Sequence, residues 1–275
     1  MNVRCIANPK CSLGEGPIWD DDSQRLYWVD IIEQRIYRHD PADGRVESWS
    51  TPEQVGFVLP EADGTLLAGF ETGLHRVTLG ADGTASAERI DRIDGARFND
   101  ATRAADGSIW ACTLEAYYRY DEQLGRTMVD DGYATANGPA LSPDEALLYT
   151  VETRGHDGRQ KGVYVSHIAS DGTLESQRLL VDWASYDSQP DGVVTDREDG
   201  SLWVGEFGGN VLRRFSPDGG ELTAIELPAW NITKAALAGD RLYVTSALYG
   251  VDADTLARCP DTGGVLEITA LGSRG

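Results

Sequence analysis

Four oxygen-bearing residues share one position in a repeating pattern. Glu15, Asn137, Asp191 and Asn231 each lie twelve residues before an aromatic residue, Tyr27, Tyr149, Trp203 and Tyr243 respectively. The same step back from Leu67 and Trp110 lands on Val55 and Phe98, and a one-residue deletion in that third unit brings Asn99 into the slot. A solvated turn would account for any one of these residues. It accounts poorly for the set, whose neighbours are apolar (Pro17-Ile18-Trp19, Pro139-Ala140-Leu141, Val193-Val194). Carboxylates and amides gathered at one buried point need a cation to offset their charge and lost hydration. Glu, Asn and Asp are hard donors that suit Ca²⁺, Mg²⁺ or Mn²⁺ and tolerate Zn²⁺ or Fe²⁺.

Such a cluster needs elements that bring distant segments to one point. Residues 14–49 read as four short strands: Pro17–Trp19, Arg25–Asp30, Arg35–His39 and Arg45–Trp49, joined by acidic and Asp-Gly turns. Similar units start near Val55, Arg97, Asn137, Asp191 and Asn231, giving six units of about forty residues. Eleven Asp-Gly dipeptides, among them Asp63-Gly64, Asp82-Gly83 and Asp171-Gly172, supply tight turns. The spacing predicts an all-β fold, a six-bladed β-propeller with four-stranded blades, and residues 1–275 as a single domain. The ring must seal or expose an edge, so Asn2–Ala7 is expected to pair near Gly264–Thr269. The shared slot then falls just before each innermost strand, at one end of the central channel. The longest irregular insertion is Thr153–Lys161.

Composition removes several functions. Forty-five acidic against 24 basic residues give a net charge of -21, which repels nucleic acid and anionic membrane surfaces. Only Lys10, Lys161 and Lys234 are lysines, a bias that fits solubility in strong salt. No window approaches a membrane span, nothing at Met1–Lys10 resembles a signal peptide, and Cys5, Cys11, Cys112 and Cys259 lack metal or disulfide spacing. A cytoplasmic protein is expected. Nucleophile-elbow, HExxH, Walker and dinucleotide motifs are absent. His39 and His167 read as surface strand positions, and the strand tryptophans as packing between blades.

The segments LGEGPIWD (Leu13–Asp20), RFND (Arg97–Asp100), NGPALSPD (Asn137–Asp144), PDGVVTD (Pro190–Asp196) and RLYVTSA (Arg241–Ala247) resemble the signatures of one family. It is the regucalcin (senescence marker protein), gluconolactonase and luciferin-regenerating-enzyme-like family. The resemblance implies one divalent metal ion held by Glu15, Asn137 and Asp191, with Asp191 also the general base. It implies substrate contacts from Arg97 and Asn99, and Glu115 is the nearest match to a further acidic contact. The chain departs from the family at Asn231-Ile232-Thr233, where Pro-Thr is common, and at Val151-Glu152-Thr153, where many members have Asp.

The activity so implied is hydrolysis of a sugar lactone, such as a glucono-, xylono- or arabinono-lactone, to the aldonic acid. A metal ion can polarise the carbonyl and acidify water, and Asp191 can accept the proton. Two other classes compete. One is a calcium-binding propeller without turnover. The other is a ligand-binding module, because Leu26–Asp30 is similar to the YWTD-type propellers of cell-surface receptors. Arg97 and Asn99 beside the metal slot favour the lactonase, since a calcium buffer needs no sugar-reading donors. A hydrolase of phosphotriesters or aryl esters would want a more apolar pocket than these residues offer.

Overall fold

Alternating apolar and polar residues, broken by Asp-Gly turns, fold into six antiparallel four-stranded sheets. The computed structural model describes residues 1–95 and 97–270. The innermost strands are Gly14–Asp20, Val55–Pro60, Phe98–Arg103, Ala136–Leu141, Gln189–Thr195 and Ile232–Ala238. Each packs beside the next and the last returns to the first, so they ring one axis. Their apolar faces fill the seams between sheets: Tyr27, Val58 and Phe70 between the first two blades, Val163, Trp183 and Val204 between the fourth and fifth. Trp19 stacks on Tyr243 at 5.7 Å across the seam between the sixth blade and the first. Each such side chain stabilises the ring by about 1.5–3 kcal/mol on burial.

The ring closes with both ends of the chain. The sixth sheet runs Ile232–Ala238, Arg241–Ser246, Val265–Thr269 and then Asn2–Ala7, with Asn2 opposite Thr269 and Ala7 opposite Val265. This is the pairing expected from the sequence. One element was not expected: a short helix, Ala253–Arg258, capped by the Asp252 carboxylate accepting from the Thr255 N–H at 2.7 Å. His39 is also a correction. It is buried at 4% exposure rather than on the surface, near Glu267 and Arg4 of the sixth blade, and burial pushes its pKa down.

One irregularity recurs in every blade. The inner strand slips register between Glu15 and Ile18, Val55 and Phe57, Phe98 and Asp100, Asn137 and Ala140, Pro190 and Val193, and Ile232 and Ala235. Each slip is a β-bulge, which kinks the strand and re-aims side chains. All six sit at the same end of the channel.

Candidate active site

The bulges turn the slot residues inward. Asn137 shows why the local sequence matters. Gly138 follows it with φ +43°, and a Cβ there would lie 2.4 Å from the Val193 amide nitrogen of the next inner strand. Only glycine lets the fourth and fifth blades approach closely enough to set Asn137 beside Asp191. The mouth is a cavity of about 340 Å³ whose lining includes Glu15, Arg97, Asn99, Asn137, Thr153 and Asp191.

The two slot carboxylates are poorly satisfied. Asp191 is 3% exposed, and its Oδ1 has no hydrogen-bond partner among the described residues. Burial first, then the charges of Glu15 and Asp100, push its carboxyl well above the usual range. Glu15 accepts one bond, from the Gly16 N–H at 3.0 Å. Burial and the Asp100 charge push its carboxyl up to about 7, against the pull of that N–H, Lys234 and Arg97. Two buried carboxyls held this high are groups whose charge and lost hydration a bound cation would offset. Among the described residues no three of His, Cys, Asp and Glu converge to hold a metal ion.

The orientation of the Asn137 amide is fixed. Its Nδ2 donates to Thr153 Oγ1 at 3.1 Å, and its Oδ1 accepts from Asn99 Nδ2 at 2.6 Å. The Tyr117 hydroxyl donates to the Asn137 carbonyl at 2.6 Å. One lone pair of Oδ1 remains for a cation. Two carboxylates and one carbonyl oxygen suit a hard divalent ion, so the residues present fit the metal that the resemblance implies. Asn99 thus orients a donor as well as lining the cavity. Its Oδ1 in turn accepts from Arg97 Nη1 at 2.8 Å, and burial pushes the Arg97 pKa down.

Not every slot residue joins in. Asn231 has φ +52°, accepts from the Gly208 N–H at 2.8 Å and donates to the carbonyls of Ala247 and Tyr249. Its amide is committed to the loops that carry Phe207 and Tyr249, so it adds no donor to the cluster. Glu115 is not brought to the mouth either. Its exposed side chain lines a separate groove of about 510 Å³ with Asp94, Tyr118 and Tyr133, whereas the preceding Leu114 lines the mouth. The cavity walls also correct the expectation of a polar pocket. Leu13, Ile31, Ile32, Leu114, Phe207 and Tyr249 surround the polar floor.

Two features escaped the sequence reading. Glu152 is fully buried and accepts backbone N–H bonds from Ala134, Thr135, Arg154 and Gly155. Asp30 does likewise for Ser12, Leu13 and Glu33. These acids clamp the loops around the mouth. Deeper in the channel, Lys234 donates to both oxygens of Asp100 at 2.7 Å, with both side chains buried. The signal was present, because Lys234 is one of three lysines and interrupts an apolar strand.

An oxygen-donor cluster at the axial mouth of a six-bladed propeller defines the class of protein. The chain belongs to the SMP-30/gluconolactonase/LRE-like family, whose model matches residues 13–248. The family resemblance read from the motifs is thereby borne out. A 6-deoxy-6-sulfogluconolactonase of Pseudomonas putida is 32% identical over 281 residues, covering 95% of this chain and 92% of that protein. A pentonolactonase of Haloferax volcanii is 30% identical over 264 residues, covering 92% of this chain and 87% of that protein. Among solved structures, a calcium-binding protein, regucalcin, from Agrobacterium tumefaciens superposes with a TM-score of 0.87 at 23% identity, covering 97% and 93% of the two chains. That likeness concerns the fold.

Proposed function

We propose that this protein is a sugar lactonase that opens an aldonolactone to the aldonic acid at the channel mouth, using a divalent ion held by Glu15, Asn137 and Asp191. The observation that carries the reading is the pair of buried, under-satisfied carboxylates facing one cavity, with Asp191 Oδ1 lacking a partner among the described residues. The names of the Pseudomonas and Haloferax relatives support the substrate class. A bound divalent ion supplies Lewis-acid polarisation of the lactone carbonyl and lowers the pKa of water.

Asp191, ionised beside the bound cation, accepts the proton of the attacking water, as a carboxylate with an unengaged oxygen can. The new bond joins that water oxygen to the carbonyl carbon. The ring C–O bond breaks, and the departing ring oxygen takes up a proton to become a hydroxyl. Arg97 lines the cavity and offers guanidinium donors to the lactone oxygens, while Asn99 keeps the Asn137 amide oriented. Phe207 and Tyr249 line the cavity as apolar surface for the C–H side of a sugar, and the apolar wall limits water at the floor.

We further place the enzyme in the cytoplasm, where four free thiols among the described residues stay reduced, and read residues 1–275 as one propeller domain. Among the described residues no helix is long and apolar enough to cross a membrane. The net charge of -21 argues against nucleic-acid partners. The test is acid release from a panel of pentono- and hexonolactones, followed in a pH-stat with and without chelator. Lactone-specific, chelator-sensitive acid release is expected. Calcium binding without turnover on any lactone would instead make the protein a calcium-binding propeller.

A further inference from the structure

The channel below the mouth holds a charge arrangement that the proposed reaction does not use. Lys234 Nζ bonds both Asp100 oxygens at 2.7 Å, at side-chain exposures of 7% and 3%. Lys234 lies on the innermost strand of the sixth blade and Asp100 on that of the third, across the axis from each other. The stem of Lys234 lies against Gly192, the residue after Asp191, where an added Cβ would come within 2.5 Å of the lysine Cβ. The stem also lines a cavity of about 360 Å³ with Arg103, Pro139 and Thr195, residues from the far halves of the inner strands. The ion pair therefore plugs the channel between the mouth and that far cavity. Asp100 raises, and Lys234 lowers, the pKa of both Glu15 and Asp191, which marks all four groups as electrostatic neighbours.

Counting these charges defines the role. Three carboxylates (Glu15, Asp191 and Asp100) stand against two cations, Lys234 in the channel and Arg97 at the mouth, so one negative charge remains and a single divalent ion more than offsets it. Without the ammonium, three carboxylates would face the ion, and Asp100 would keep the Ala101 N–H at 2.8 Å but lose both of its bonds to Lys234. We propose that Lys234 is a built-in cation of the channel, which holds Asp100 out of the ligand set and limits the mouth to one divalent ion bound by two carboxylates. This inference rests on the Glu15–Asn137–Asp191 reading. Lys234 is a positioning residue, because it acts on the ion through Asp100 and the channel field.

Calorimetric titration of chelator-treated, full-length protein with CaCl₂ tests it, using wild type, Asp100→Asn, Lys234→Met and the double variant. Wild type should bind one Ca²⁺ per chain. Asp100→Asn leaves the ammonium unopposed near the site and should weaken Ca²⁺ binding at least about tenfold. Lys234→Met should tighten it by about tenfold or admit a second ion, and the double variant should return within about threefold of wild type. If Lys234→Met does not fold without the ion, Asp100→Asn against the double variant decides the matter. Equal affinities in that pair, or single variants indistinguishable from wild type, would overturn the role of Lys234 alone. Wild-type protein that bound no Ca²⁺, Mg²⁺ or Mn²⁺ would overturn the site reading itself and this inference with it.

Discussion

The two faces of the propeller use the same residue types to opposite effect. On the face away from the mouth, the aspartates of the hairpin turns accept hydroxyls of Thr or Ser two residues away. Thr65 donates to Asp63 at 2.6 Å, Thr84 to Asp82 at 2.7 Å and Thr173 to Asp171 at 2.6 Å. These hydroxyls, with the backbone N–H groups beside them, hold the turn carboxyls below the usual range in open solvent. At the mouth, burial raises Glu15 and Asp191 and few donors compensate. An acidic residue is a structural cap where donors and water reach it, and a reactive or ion-seeking group where they do not.

The sharpest way to break this contrast is to change one mouth carboxylate without changing its shape. Asp191→Asn keeps an oxygen donor but removes the base, so turnover on the best lactone should fall about 10²-fold or more with the ion still bound. Initial rates and metal content on the same sample check this. Near-normal turnover at full occupancy would remove Asp191 as the base.

The second test uses pH, because the two faces carry opposite signs. Glu15, raised from 4.5 to about 7, stabilises the fold relative to the unfolded chain most below pH 4.5, and that contribution is lost as pH rises through 7. The turn aspartates, lowered from 3.8, contribute fully above that value and lose it as pH falls further. The thermal midpoint of ion-free protein should therefore drop on the order of 5 °C between pH 5 and 8, and Ca²⁺ should reverse the drop. Glu15→Gln should flatten the slope, as scanning calorimetry across that range would show. A midpoint that rose with pH in the absence of ion would refute the assignment.

Salt separates the faces next. The screening length shrinks from about 10 Å at 0.1 M to about 3 Å at 1 M, which relaxes repulsion among surface carboxylates but reaches buried ones much less. Molar NaCl should raise the midpoint by about 3 °C and leave the slope from Glu15 in place. A flat response would show that surface repulsion does not limit stability. The smallest effect belongs to a single turn: Asp171→Ala should lower the midpoint by only about 1 °C and leave lactone turnover unchanged.

The contrast also explains what could be read in advance. The repeat fixes strand order, closure and the slot, because turns and alternation are local signals that six blades repeat. Glu15, Asn137 and Asp191 stood out because a period aligns them. Asp191-Gly192 is nevertheless the same dipeptide as the turn pair Asp171-Gly172, and only its place relative to Trp203 tells the two apart. What stayed hidden depends on contacts between blades. Asn231 occupies the slot, yet its φ of +52° turns its amide to the loops. Lys234 and Asp100 are 134 residues apart, so their pairing has no periodic trace. Glu115 sits one residue beyond Leu114, and in a strand-end turn one residue decides which side of the wall a side chain faces.

The sixth blade, sealed by Asn2–Ala7 against Val265–Thr269, has a consequence for synthesis. The strand made among the first must wait unpaired until nearly the last strand leaves the ribosome. Five blades can assemble on the nascent chain in order, but the mouth stays an open arc until then. Glu15, on the first blade, meets the sixth only at closure, when the Thr233 hydroxyl donates to the Gly14 carbonyl at 2.7 Å. A partly translated chain therefore has neither a closed channel nor the complete mouth proposed to hold an ion. Ribosomes stalled before residue 265 should hold a chain that proteases cut at the first strand and that calcium does not protect.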